Sequence, residues 1–444
     1  MPNSEELSTV KSTSIMVLTP EGYRFRYMDA VLEKALRICG AVCIKGPKGC
    51  GKTWTSLNHA NSALMLDDPS NGYRNRRFAE ERPEEAVVGE APRLIDEWQF
   101  APAVWDSTRR LVDRMGAKGL VILCGSSTPD DGVLSSLHNG FARICPYRMR
   151  TMSLFESGDS DGSVSLSSLF RNDPIESEWR DADIGRIIGL ILRGGWPGTL
   201  GMEVGDAMEF NRMLVESIAE DEAPRIDRTV NPQTVRMLLR SLARNESIVA
   251  SDRKIRSDMA EDSDSAPMAQ ETLVKYRGVL ERLHIIEDQR AFNPNLKSSV
   301  RVGKTPKRHL ADPSLAAAAM RATPERLDGD RETLGFLFEA LCERDLQIYA
   351  ESLGGSLFHY RDGNGKEIDA VVEMPDGVWG AFEIKLTRSG VEEGARNLIR
   401  IRDYIAGQPG GRAPVLLCVI CGTAETAELR DDGVYVVPIT MLKA

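Results

Sequence analysis

Gly46-Pro47-Lys48-Gly49-Cys50-Gly51-Lys52-Thr53 matches the pattern GxxxxGK[ST] at every fixed position. The apolar run Ala41–Lys45 precedes it and a stretch of helical character follows. That is the strand–loop–helix setting in which such a loop holds phosphate. Glycines let backbone N–H groups curl around a β-phosphate, and the start of the next helix adds a favourable dipole. Lys52 is expected to reach the β- and γ-phosphates of ATP and Thr53 to ligate Mg²⁺. The alternative, a chance glycine-rich turn, leaves the flanking strand and helix unexplained.

Working outward, Arg93-Leu94-Ile95-Asp96-Glu97 is an apolar strand ending in two acids. Asp96 is expected near Mg²⁺, through water, and Glu97 to polarise the attacking water. The 44 residues from Lys52 to Asp96 leave room for one intervening strand–helix unit. Residues 119–124 form another apolar run, leading into Gly125-Ser126-Ser127. Ser126 or Ser127 could sense the γ-phosphate, or simply begin a loop. Arg143 precedes the next apolar strand and is a candidate finger on a neighbouring subunit's γ-phosphate. A surface or fold-stabilising arginine is the alternative. With further apolar runs at 63–67 and 143–149, residues 28–155 alternate as an α/β sheet wound with helices does.

The chain has 444 residues, enough for two or three domains. Its net charge of −10 argues against a protein that coats nucleic acid non-specifically. Residues 231–310 differ, with 15 Lys and Arg against 10 Asp and Glu. No run approaches the roughly 18 apolar residues of a membrane helix, so no membrane partner is expected. Residues 1–13 lack the order of a secretion signal, which points to a cytoplasmic chain. The eight cysteines sit in apolar or functional contexts, as reduced thiols do. Cys418 and Cys421 form a CxxC, but on a strand they point to opposite faces and are expected to be core residues.

Four regions emerge: a lead-in at 1–27, the phosphate-loop unit at 28–173, a mainly helical unit at 174–310 and a third unit at 311–444. Residues 159–168 read as a polar loop punctuating the first unit. Residues 235–243 and 272–283 carry helical periodicity, with a loop expected at 251–270. A short strand at 284–289 completes the outline of a winged helix, or equally of a plain helical lid. Farther on, strands at 356–361 and 367–373 flank the turn signal Gly363-Asn364-Gly365. More strands are expected at 378–386, 415–420 and 434–438, with helices at 332–346 and 392–406. Asp369 lies on the second strand of this unit. Glu383 and Lys385 share a face of the third, and Glu339 lies on the preceding helix. Those are the residue types a Mg²⁺ nuclease needs. A solvated strand face is the alternative reading.

GPKGCGKT, LIDEWQ, LCGSS, RMRTMSLFESG, RGGWP, HLADPSLA and EIDAVVE…FEIK, spread over most of residues 20–390, give the chain a family likeness. It resembles bacterial proteins that join an AAA-type ATPase domain to a C-terminal domain of unknown function, number 4143. The resemblance implies an additional-strand P-loop ATPase with sensor and arginine finger. It also implies a helical, winged-helix-like middle and a C-terminal α/β domain of the PD-(D/E)XK, restriction-endonuclease-like fold. The expected function is an ATP-driven ring, of hexamer type and built from copies of this chain, that acts on nucleic acid, with DNA as a candidate partner. The competing expectation is an ATP-controlled switch or scaffold with an inactive nuclease-like domain. A small-molecule kinase fits less well, because no acceptor pocket is visible.

Overall fold

Buried side chains on both faces make β1 (Ala41–Lys45), β3 (Arg93–Asp96) and β4 (Val121–Gly125) the inner strands of a parallel sheet, edged by the more exposed β2 (Ser62–Met65) and β5 (Ile144–Arg148). The computed structural model describes residues 18–128, 142–263, 267–293, 305–362, 365–408 and 410–444. The strand order is β2-β3-β4-β1-β5. Thus β4 lies between the strand that feeds the phosphate loop and the strand that ends in Asp96. Lys45 pairs with Gly125 and Asp96 with Cys124, so three strand ends meet at one sheet edge. Helices α1 (Tyr27–Ile38), α2 (Lys52–Asn58), α3 (Ser70–Glu81) and α4 (Ala103–Met115) wrap the sheet. Gly116, at φ 61°, ends α4 in the left-handed conformation that glycine tolerates.

Two expectations fail in this unit. Cys39 and Cys145 are joined by a disulfide across 106 residues, with Cα atoms 6.3 Å apart. The edge strand β5 pairs with β1 and so carries Cys145 to the end of α1, a proximity that spacing cannot show. The six other cysteines are free and buried. Residues 159–168 are not simply a loop either. They include β6 (Val164–Ser165), which pairs in parallel with β13 (Leu442–Lys443). Ser160 and Ser165 add hydrogen bonds to the carbonyls of Leu442 and Ala444, at 2.8 and 2.7 Å.

The middle unit holds α5 (Ile184–Arg193), α6 (Val204–Ser217), α7 (Pro232–Arg244), α8 (Asp252–Ser263) and α9 (Gln270–Arg282). Asp183 and Asn231 cap α5 and α7 by accepting from free N–H groups of the first turn. The helix α8 corrects the loop expected at 251–270. Its polar composition hides Ile255 and Met259, four residues apart on one face and buried in the core. Short extended segments complete the unit. Val249 and Gln289 both bridge Lys307, and Ile286 bridges Leu310, all antiparallel.

Asp312 caps α10 (Pro313–Ala319), and the long α11 (Arg331–Ser352) follows. Then come β7 (Ser356–Arg361), β8 (Glu367–Glu373), β9 (Trp379–Lys385), α12 (Val391–Ala406), β10 (Leu416–Cys421), β11 (Glu428–Leu429) and β12 (Tyr435–Pro438). The sheet order is β11-β12-β10-β9-β8-β7, antiparallel from β7 to β9 and parallel across β9, β10 and β12. Of the expected turn, residues 363 and 364 lie outside the described residues, while Arg361 pairs with Glu367 as a hairpin requires. Cys418 packs with Phe382 and Ile384 on the face toward α11. Cys421 packs with Val391 and Leu398 on the other, so the CxxC holds two core residues. Among the described residues, no helix is long and apolar enough to cross a membrane.

Candidate nucleotide site and C-terminal acidic cluster

The phosphate loop needs its glycines for space and for torsion. A Cβ on Gly46 would sit 2.1 Å from the Met149 carbonyl oxygen, and Gly51 has φ 102°. Behind the loop, Cys50 is fully buried, its Sγ 3.7 Å from the same oxygen. Lys52 is buried, and its Nζ donates to the Pro47 carbonyl at 2.9 Å. Burial opposes the charge of Lys52, but its acidic surroundings, Glu97 and Asp96 among them, hold its pKa above the ordinary value.

At the head of α2 the Thr53 hydroxyl donates to Asp96, 3.2 Å from Oδ1 and 3.1 Å from Oδ2. Burial pushes the Asp96 carboxyl up to about 6, and the charge of Glu97 adds to that against hydrogen bonds from Cys124 and Thr53. Glu97 follows in the left-handed conformation, φ 53°. The Ser126 hydroxyl donates to Glu97 Oε2 at 2.9 Å, and the Gln99 amide donates to the same oxygen. Thr53 thus meets Asp96, and Ser126 meets Glu97. Sequence reasoning missed Gln99, which stands in the quoted LIDEWQ but has no role in the general pattern.

Thr53 and Glu97 open on a cleft of about 730 Å³ lined also by Tyr23, Arg24, Lys48, Lys52, Trp54 and Pro197. A second cavity of about 380 Å³ adjoins it through Glu97, walled by Asp67, Ser127, Glu222, Arg225 and Arg282. Lys48 pairs with Glu222 at 2.6 Å, tying the loop to the helical unit. The lead-in is part of the site. Arg26 donates to the carbonyls of Cys50 and Arg150, both at 2.8 Å, and pairs with Glu156 at 3.2 Å. Arg225 and Arg282 come from remote helices and had no signal in spacing.

Arg143 stands elsewhere. Its carbonyl accepts from Ala41 N–H at 2.9 Å, and its guanidinium pairs with Asp113 at 2.8 Å. Ala41 begins β1 and the loop follows its end, roughly 17 Å away at about 3.3 Å per residue. Arg143 is not brought to the phosphate loop of its own chain.

Three of the quoted stretches meet at one buried carboxylate. Asp312 accepts from the Thr151 hydroxyl at 2.7 Å, Gly195 N–H at 3.1 Å and the Arg344 guanidinium at 3.0 Å. Burial would raise the Asp312 carboxyl, yet Arg344 and these donors hold it below the usual range. The adjacent Trp196 indole donates to Ser314 Oγ at 3.0 Å. Pro197, next in the chain, walls the cleft, so the junction underlies the nucleotide site.

In the C-terminal sheet Ala370 pairs with Phe382, which sets Asp369 opposite Glu383. Lys385 Nζ lies 2.8 Å from Glu383 and 3.9 Å from Asp369. Ile384 N–H donates to Asp369 Oδ2 at 2.8 Å, and Asn397 donates to Glu383 Oε1 at 2.8 Å. Burial pushes Glu383 up to about 7, with the charge of Asp369 adding to it. Glu339 reaches from α11 and pairs with Lys307, which in turn donates to the Asp369 carbonyl oxygen at 3.0 Å. All four expected residues thus lie in one cluster, and Lys307, which sequence reasoning missed, lies among them.

Three family models match parts of the chain. They are an AAA domain at residues 40–156, a domain of unknown function (DUF8612) at 185–326 and a domain of unknown function (DUF4143) at 334–442. No curated protein matches. Among solved structures, the chain is similar to the Walker-type ATPase paby2304 of Pyrococcus abyssi, at 14% identity and a TM-score of 0.41, covering 68% of this chain and 99% of that one. It is also similar to the Aeropyrum pernix ORC1 protein in complex with DNA, at 17% identity and a TM-score of 0.26, covering 70% and 96%. The fold stands on the strand order and the loop geometry rather than on these overlays. The chain carries an AAA domain with a P-loop, followed by a DUF4143 domain.

Proposed function

We propose that this protein binds ATP with Mg²⁺ in the 730 Å³ cleft and hydrolyses it. The observation that carries the reading is the Thr53 hydroxyl on the Asp96 carboxylate at the mouth of the phosphate loop. A hydroxyl and a carboxylate are the hard oxygen donors that Mg²⁺ takes, so the residues fit the ion. When bound, Mg²⁺ neutralises charge on the β- and γ-phosphates. The loop from Gly46 to Thr53, with Pro47, Lys48, Gly49 and Cys50 between, wraps the phosphates. Lys52 supplies the cation. Glu97 polarises the attacking water, and Ser126 and Gln99 aim its carboxylate. Arg143 acts as a finger on the next subunit of a homo-oligomer, a hexamer-type ring, since its position excludes its own loop.

The units at 28–173, 174–310 and 311–444 divide the work. The middle one runs helix, bridge segment, helix, helix, then two bridged segments, which supports a winged-helix reading and contact with DNA. The last runs α11, three antiparallel strands, α12 and a parallel strand, which supports a nuclease-like fold. A second reading, an ATP-controlled switch with a silent nuclease-like domain, is favoured by the lysine seated on Glu339.

The test is ATP turnover by the full chain with and without single-stranded and duplex DNA. Lys52→Ala is expected to lower turnover by about 10²–10³-fold. Near wild-type hydrolysis by that variant would sink the assignment. Arg143→Ala should bind nucleotide yet turn over poorly, and mixing it with Glu97→Gln subunits should restore part of the rate. Mixtures with no gain would place Arg143 outside the chemistry.

A further inference from the structure

We infer that Lys307 serves as a resident cation of the C-terminal acidic cluster and closes it to divalent metal ions. The inference rests on the nuclease-like reading of residues 311–444. Its motive is a misfit. The acids are of the right type for a hard cation, yet among the described residues no group of three or more His, Cys, Asp or Glu is disposed to hold one.

The reason for the misfit is visible. Lys307 is 1% exposed, and its ammonium contacts Glu339, Glu343 at 2.8 Å and the Asp369 carbonyl at 3.0 Å. Three acceptors use all three N–H donors of an ammonium. Burial works against that charge, but Glu339, Glu343 and Asp369 hold the pKa well above its ordinary value. A divalent ion bridging Glu339 and Asp369 would have to share this space with a fixed positive charge. At such range in a buried site the repulsion is severe.

Lys307 does not belong to the sheet it plugs. It lies on a segment bridged to Val249 and Gln289 of the middle unit. Two residues on, His309 seats between Glu246 and Glu343, at 3.0 and 3.2 Å. The plug is therefore delivered by the unit assigned to DNA contact. Withdrawing that segment would empty the cluster of its cation and leave Glu339 and Glu343 uncompensated, which favours uptake of a metal ion.

The experiment titrates Mn²⁺ into the nucleotide-free full chain and reads free Mn²⁺ by electron paramagnetic resonance. Wild type is expected to show no binding that depends on Asp369. Lys307→Met is expected to gain Asp369-dependent Mn²⁺ binding, with a Kd about 10–100-fold below the detection limit set for wild type, and the gain should vanish in Lys307→Met/Asp369→Asn. Lys307→Arg, which keeps the charge, should behave as wild type. If Lys307→Met does not fold, Lys307→Met/Glu343→Gln carries the same titration with less uncompensated charge. A folded variant lacking Lys307 that binds no more Mn²⁺ than wild type overturns the inference. So does wild type that already binds Mn²⁺ through Asp369. A variant that gains Mn²⁺ but leaves DNA intact upholds the plug and removes the cleavage reading alone.

Discussion

The two acidic centres of this molecule spend their charges differently. In the N-terminal cleft, Lys52, Thr53, Asp96 and Glu97 stand around or beside a 730 Å³ opening, and the Lys52 ammonium donates to a neutral carbonyl. In the C-terminal cluster the cations Lys307 and Lys385 sit directly on Glu339, Glu343 and Glu383. The first arrangement leaves charge for a ligand to meet. The second satisfies charge internally, where removal of one member strands the other in a low-dielectric site. Substitutions in the cleft should therefore cost function, and substitutions among the buried pairs should cost stability.

The largest effect expected is at Glu97. Glu97→Gln should bind ATP and slow turnover by about 10²–10⁴-fold, the range for loss of a positioned base. A filter assay for ATP binding beside a phosphate-release assay checks both halves. Loss of binding as well would make Glu97 a metal or structural residue and blur the contrast. Next is Asp312→Ala, which takes the acceptor from the buried Thr151 hydroxyl and Gly195 N–H and leaves Arg344 with Asp345; it should cost about 1–3 kcal/mol of stability, measured by urea unfolding. Lys52→Ala should leave the urea midpoint nearly unmoved. If it melts the protein as Asp312→Ala does, the two classes of site are not distinct.

The smallest effect is a pH dependence. Burial opposes the charge of His309, but Glu343 and Glu246 raise its pKa to about 10 in the fold. A histidine raised in the folded state adds stability that is complete below about 6.5 and is lost as pH rises toward 10. Wild type should therefore lose its advantage over His309→Gln between those limits in thermal melts. A constant difference across that window would show that His309 contributes by packing alone.

The site was legible where its signals are local. The loop is eight contiguous residues, and side-chain parity on a strand is enough to bring Glu383 and Lys385 to one face and to send Cys418 and Cys421 to opposite ones. Asp96 and Thr53 meet because β4, which follows both motifs in the chain, inserts between β1 and β3, whereas β2, the unit for which the spacing leaves room, lies beyond β3. Lys307, Arg26, Arg282 and the Cys39–Cys145 pair escaped because each depends on contacts between remote segments, for which no periodicity exists. The helix α8 escaped for the opposite reason: among its described residues two buried apolar side chains anchor it, too few to outweigh a polar composition.

The pairing of β6 with β13 has a bearing on how the chain acquires its structure. Ser160 bonds to Leu442 across 282 positions, and the Ala444 N–H reaches the Tyr27 hydroxyl at 3.0 Å. A ribosome releases the N-terminal segments first, and domains generally fold as they emerge. Here β6 has no strand partner until residues 442–443 have been made. The phosphate-loop unit thus completes its strand pairing only after the last unit has been synthesised, and contacts of such separation form slowly. The newborn chain must carry β6 without its strand partner until residues 442–443 arrive.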